Sequence, residues 1–518
     1  MISHFNFAGS LAILTSFLVS HSSVSRADDQ PQWGQAWSRN MVSNERNLPE
    51  SFDIKTGQNV KWWAQIGTET HSTPIVARGK VFIGTNNGEP RDQKHQGDRG
   101  VCMCFDERDG KFLWQLVVPK RDEDPYYDWA NTGIASPISV EGDRGYLVDN
   151  RGELVCLDLN GLANGNDGPF RDEATHMTPR GTNAPLQKLT PGHFDADIIW
   201  TLDLMSEAGI WPHDGAHSSI LIQGDYLYLN SGTGVDNTHR KIRSADAPSL
   251  IVVDKRTGRL VARDKEQIAP KIFHATWSPP SMGRVEDRPA IFFAGGDGVV
   301  YGFEPLPKNP ARTSEPSGKP IGLTKVFQFD IDPQGPKENV HRFTSNRREG
   351  PSNIYGMPVF DHDRLYVAGG GDVFWGKNGA WLKCIDTRKS GDVTSTGEIW
   401  SFPLEKHVLS TPAIYEGLVF IADTGHNLYC LDAISGKPYW TQECKGEFWA
   451  SPLIADGKVY IGSRGGDFWI LAATKEKKIL SQVDFPDPIS GTATAANRTI
   501  YIATMTRLYA ISTKAPQP

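Results

Sequence analysis

The stretch 410–440, STPAIYEGLVFIADTGHNLYCLDAISGKPYW, limits what this chain can fold into more than any other. It holds three short strand patterns, closed in turn by Glu416-Gly417, by Asp423-Thr424-Gly425 and by Asp432. A Ser435-Gly436 turn then leads into a fourth strand that finishes at Trp440. Short strands bounded by Gly, Asn and Asp make an antiparallel meander. One such sheet cannot bury both faces alone, so the unit should recur.

It does recur. Anchored on the Pro of the first strand, the copies fall at Pro74, Pro137, Ser219 (in the Pro place), Pro279, Pro358, Pro412, Pro452 and Ala493. The nearest anchors are about 40 residues apart, the period of a four-stranded propeller blade. The expected fold is an all-β, eight-bladed β-propeller of four-stranded antiparallel blades. The eighth copy, TIYIATMTRLYAIS, has no fourth strand, whereas DIKTGQNVKW at 53–62 is a turn and Trp strand with no blade before it. Residues 60–66 should therefore complete the last blade and close the ring, which removes exposed edges. On this reading 53–513 is a single propeller, 28–52 a lead-in and 514–518 a short tail.

Residues 1–27 read as a secretory signal peptide. Ala8 to Ser20 is an apolar core too short to span a bilayer, and Ser25-Arg26-Ala27 suits cleavage, although MISHFNF carries no basic residue. No Cys lies near the cleavage point, which argues against a lipid anchor, and no other apolar run is long enough to span. The mature protein is expected to be soluble and periplasmic or secreted.

The 54 basic and 61 acidic residues are mixed, which argues against a nucleic-acid surface, where basic residues cluster. All six Cys fall after the signal. Cys104, Cys156, Cys384 and Cys430 each stand two residues before an acidic turn residue, in CFD, CLD, CID and CLD, where Val252 fills the same place before Asp254. That is a core position in a third strand, and a free Cys behaves there as a small apolar side chain. Export permits disulfides, so Cys102 paired with a distant partner or with Cys444 stays open.

Several insertions interrupt the blades. They are 86–100, 159–194, 232–248 (with Asp236, Asn237, His239 and Arg240), the Pro-rich 306–322, and 333–353. Long loops on a rigid ring are where binding specificity resides, so a protein partner held by these loops, or a small polar ligand, is expected. The Asn- and Gly-rich run after Asp158 invites calcium, but Leu162 breaks the EF-hand spacing, and a self-bonded loop is the simpler reading. In HDGAH at 213–217 the two His are four apart, a spacing that binds zinc on a helix. Pro212 and Gly215 argue for a loop instead. Asp214, His217 and Ser218 lack the setting of a nucleophile elbow.

Laying the blades on one another brings out a further pattern. First strands line a propeller's channel, and the loops entering them lie at one mouth. Five residues before each anchor stand Glu69, Thr132, Asp214, His274, Asn353, His407 and Glu447. Trp277 and Trp449 follow three residues after His274 and two after Glu447, and Arg347, Arg348 and Lys406 would rim the same funnel. Acids, imidazoles and an amide converging on one axis would hold a metal or small polar ligand, or supply acid–base groups. The plainer alternative is that these are solvated loop residues.

The repeat in FDERDGKFLW (105–114), VDKRTGRL (253–260), LDAISGKPYW (431–440) and DIKTGQNVKW (53–62) resembles that of pyrroloquinoline quinone (PQQ) repeat propellers. That family includes quinoprotein dehydrogenases and the BamB assembly factors. The resemblance implies that Trp62, Trp114, Trp200, Trp400 and Trp440 pack between neighbouring blades, with Ala262 or a neighbour in the Trp place of blade 3. For function it divides. Quinoprotein dehydrogenases bind PQQ on the axis, with Ca2+ held by Glu, Asn and Asp and an Asp as base; Glu69, Asn353 and Asp214 have that chemistry here. Many also carry a vicinal Cys pair, which this chain lacks. BamB-like proteins are non-catalytic and bind partner proteins through surface loops, though they are typically lipid-anchored. The leading expectation is an exported binding or scaffold protein, and the alternative a PQQ- and calcium-dependent dehydrogenase.

Overall fold

The computed structural model describes residues 1, 28–121, 129–181, 184–215, 218–308 and 319–513. The signal-peptide and C-terminal-tail expectations fall outside them, as do His217 and part of the Pro-rich insertion. The described residues form eight sheets arranged as the blades of a propeller. The innermost strands are Ile75–Ala77, Ser139–Glu141, Leu221–Gln223, Ser281–Val285, Val359–Asp361, Ala413–Tyr415, Leu453–Ala455 and Thr494–Ala496. Blades are numbered 1 to 8 in that order. Each runs outward through antiparallel neighbours. Blade 8 is completed by Val60–Gln65, which pairs antiparallel with Arg507–Ile511 and closes the ring. Blades 3, 4 and 7 add a two-residue fifth strand, paired parallel.

The cause of blade docking is visible in the outer strand pair. Cys104, Cys156, Cys384 and Cys430 stand directly opposite Trp114, Trp200, Trp400 and Trp440. In blade 3 Val252 faces Ala262. Next to this pair, all eight blades slip register by one residue. Such a bulge bends the strand and raises its twist. The Trp rings cross to the following blade. The indole N–H of Trp62 donates to Glu107 O at 3.0 Å, Trp114 to Leu159 O at 2.9 Å, Trp400 to Ala433 O at 3.2 Å and Trp440 to Thr474 O at 2.9 Å. Trp200 lies over Gly258 of blade 3, where a Cβ would come within 2.6 Å of the ring. With φ +70°, that position suits glycine twice over.

Turn chemistry repeats too. The Asp that ends the third strand folds its carboxylate back onto the N–H groups two or three residues on, as in Asp254 and Asp432, and Asp53 makes the same turn ahead of the closing strand. This Asx turn positions the glycine beneath the neighbouring Trp.

The lead-in 28–52 does not lie on the rim. Gln30 bridges Val76 of blade 1, Val140 N–H donates to Pro31 O in blade 2, and Val42–Ser43 pairs parallel with Leu453–Ala455 in blade 7. Fully buried Arg39 donates to Trp33 O, Ser219 O, Ser219 Oγ and Pro280 O. Asn40 exchanges two hydrogen bonds with the Ile414 backbone in blade 6. The segment thus ties together innermost strands from around the ring.

Candidate functional site

On the axis lies a cavity of about 390 Å3, walled by Trp33, Trp129, Trp277, Phe374, Trp375 and Trp449. Topology explains why. In an up-and-down blade, the loop entering the first strand and the loop joining second to third strands emerge on the same face. The insertions of blades 1, 3 and 5 all occupy that second loop, between Asn86 and Arg99, Asn230 and Leu250, and Gly370 and Ala380.

Glu69, Asp214, His274, Trp277 and Trp449 line the cavity. Asn353, His407 and Glu447 do not. Asn353 is buried, its amide donating to Ala275 O at 3.3 Å. The His407 ring contacts Lys377 O at 2.9 Å, and exposed Glu447 accepts from the Trp449 indole at 3.2 Å. Five residues back is thus a funnel position in some blades only.

The lining has two sides. Towards blades 1 and 7, Glu69 pairs with His71 at 2.9 Å, His71 packs on Trp449, and the Arg464 guanidinium lies 4.2 Å over the Trp449 ring. Towards blades 3 to 5, three histidines meet. His213 Nε2 lies 3.1 Å from His239 Nε2, and one ring nitrogen from each of His213, His239 and His274 falls within 4.8 Å of the others. His274 Nδ1 lies 3.1 Å from Asp372 Oδ2 and 3.3 Å from the Tyr355 hydroxyl, which itself donates to Asp372. The Phe374 and Trp375 N–H groups cap the other Asp372 oxygen. Asp214 Oδ2 stands 3.4 Å from His213 Nε2 and 3.9 Å from His274 Nε2.

A backbone lattice holds the rings together. His213 N–H donates to Gly232 O, Gly234 N–H to Trp211 O and Val235 N–H to His274 O. A Cβ on Gly234 would sit 2.6 Å from both His213 Cβ and His274 O, so glycine is what lets the two segments approach. His239 sits in the Asp236–Lys241 turn at φ +56° and stacks on His274.

Electrostatics favour the neutral forms of His213 and His239. Burial, then His274 and His239, push His213 down to about 2, and burial with His274 lowers His239. Burial works to raise Asp372, but the facing His274 and the bonds from His274, Tyr355 and Trp375 outweigh it and hold the carboxyl below its usual range. Burial raises Asp214.

Sequence reasoning named Asp214 and His274, and noted His213 and His239 only in passing. It missed Asp372 and Tyr355. His213–Gly215, the described part of the HDGAH run, belong to no helix or strand, and His213 meets His239 and His274 from separate segments. The available signal was topological: a His, or an Asp two residues ahead of Phe-Trp, inside a loop between second and third strands.

The three residues with the chemistry of a calcium site, Glu69, Asn353 and Asp214, each have other neighbours in the structure. Calcium takes six to eight oxygens. Glu69 is paired with His71, Asn353 donates through its amide nitrogen to Ala275 O while its Oδ1 has no hydrogen-bond partner, and Asp214 faces imidazole nitrogens.

A family model described as outer membrane protein assembly factor BamB matches residues 36–184 and 381–515, more than half of the chain. The chain belongs to this family. No curated protein matches it in sequence. Among solved structures, a europium-containing methanol dehydrogenase is similar at 11% identity and TM-score 0.54, covering 92% of this chain and 90% of that one. BamB from Moraxella catarrhalis is similar at 12% identity and TM-score 0.48, covering 88% and 98% respectively. Quinohemoprotein alcohol dehydrogenase from Comamonas testosteroni is similar at 13% identity and TM-score 0.44, covering 95% and 81%. At such identities the likeness speaks for the fold alone. His213, His239, His274, Tyr355 and Asp372 all fall in the interval that the family model leaves unmatched. Among the described residues no helix is long and apolar enough to cross a membrane.

Proposed function

We propose that this BamB-family propeller is an exported, non-catalytic binding protein of the cell envelope that works through the mouth of its axis. One observation carries the reading. A cavity of about 390 Å3, walled by aromatic rings and holding a few convergent polar groups, opens on the face where the insertions of blades 1, 3 and 5 emerge. Recessed apolar pockets with sparse polar groups are the usual form of a site for a small ligand or an anchoring side chain. The insertion loops at the rim would read the rest of a partner. In the BamB-like manner, deleting 333–353 should then abolish partner capture while leaving the ring folded.

The dehydrogenase is the second reading, favoured by the Trp-walled axial position of the cavity. Calorimetric titration of the mature protein with PQQ, with and without Ca2+, separates the two. The binding-protein reading expects no calcium-dependent heat and no bound quinone absorbance. Micromolar, calcium-dependent binding lost in Asn353→Ala would establish the dehydrogenase instead.

A further inference from the structure

We propose that His213, His239 and His274 form a tris-imidazole site for a divalent first-row transition metal, with Asp372 orienting His274 and the remaining coordination position facing the axial cavity. The inference deepens the axial-site reading in sharing its cavity, but it concerns the cation alone and stands if no organic ligand binds.

The geometry is that of assembled ligands. Two imidazole nitrogens on one tetrahedral zinc at about 2.05 Å are held about 3.3 Å apart, and the Nε2 atoms of His213 and His239 are 3.1 Å apart. His274 is 2% exposed, and its Nε2 has no hydrogen-bond partner. An unsatisfied buried nitrogen is costly, and a metal bond would satisfy it. The supporting contacts also match. Metal-binding histidines ordinarily give their other nitrogen to a carboxylate or a backbone carbonyl, which fixes tautomer and orientation. Here His274 is bonded to Asp372, His213 to the Val235 backbone and His239 to the Asn237 backbone.

The competing explanation is a purely structural ring cluster, since His213 and His274 meet edge to face at 4.7 Å. Apolar rings would fill that space without leaving a buried nitrogen unpaired. Three other groups of acids and imidazoles also come close enough for a metal among the described residues. Each already holds a cationic side chain: Lys94 on Asp195, Arg151 on Glu153 and Arg144 on Asp158. The histidine cluster offers three imidazole nitrogens instead. Imidazole donors select zinc, copper, nickel, cobalt or iron over calcium and magnesium. Asp214 stands beside the open position, where it would serve as a fourth ligand or accept a proton from a metal-bound water.

The test uses the full mature chain, stripped with chelator and titrated with Zn2+ alone and with Co2+ alone. One equivalent of either should bind, with visible cobalt bands of low coordination number. His239 is only partly buried, so His239→Ala should keep the wild-type thermal transition of the stripped protein while weakening binding at least 100-fold. Asp372→Asn should weaken it about 10–100-fold, as loss of a supporting carboxylate does elsewhere. His362→Ala, at an exposed turn of blade 5, should bind as wild type. Sub-stoichiometric uptake, or equal uptake by wild type and His239→Ala, would overturn the site. Metal uptake without any organic ligand would sink only the preceding reading, and ligand binding without metal only this one.

Discussion

Each cysteine that faces a tryptophan occupies a gap that only a small side chain fits. Cys104 and Cys384 are completely buried, and the six thiols are all free. Burial pushes Cys102, Cys156 and Cys430 up to about 12 and Cys384 up to about 11. A thiol-titrating disulfide reagent at pH 8 should therefore react with no thiol in the native protein and with six after denaturation. One disulfide would leave four. The sign for stability follows from linkage. A folded pKa above the unfolded value of about 8.5 adds stability that is fully present below that pH and is lost as pH rises past it. Denaturant midpoints should hold steady to about pH 8 and fall at pH 10. The cysteine placement was legible because CxD locks register to the turn that follows. The roles of Asn353 and His407 were not, since counting back from Pro gives position along the chain but not the direction of a side chain.

At the scale of the blade, docking rests on a Trp reaching over its neighbour's turn. Trp440 is 8% exposed and bonded to Thr474 O, so Trp440→Ala should cost about 3–5 kcal/mol in urea unfolding. Asp432→Ala removes the acceptor for the Ile434 and Ser435 N–H groups, and a loss of about 1 kcal/mol is expected. The same bonds hold the Asp53 and Asp432 carboxyls low, and bonds from Arg108 and Arg388 do so for Asp106 and Asp386. Depressed carboxyls contribute stability that is present above the unfolded pKa near 4 and lost as pH falls through the folded value. Asp432→Asn should accordingly flatten the acid arm of the stability profile while barely changing the midpoint at pH 3. Strands, turns and Trp positions could be read directly, because alternation and turn residues are local. The meeting of His239 with His213 and His274 could not, since it depends on which loops share a face.

At the scale of the ring, two devices hold the molecule together. Val60–Gln65 closes blade 8, as the orphan Trp strand implied, and 28–52 crosses between the innermost strands. The second was invisible in the sequence, where the segment has no repeat pattern. Arg39 is its anchor: four acceptors bind the guanidinium, and burial lowers its pKa to about 9. Arg39→Ala would strand those acceptors, and a loss on the order of 3 kcal/mol is expected by urea unfolding. With the ring closed and tied across its innermost strands, the open face of the axis is left for binding. Anomalous diffraction from zinc-reconstituted crystals, recorded on both sides of the zinc edge, tests that most directly. A single strong peak is expected among the His213, His239 and His274 rings, facing the cavity. No peak there, or a peak confined to surface residues, would contradict it.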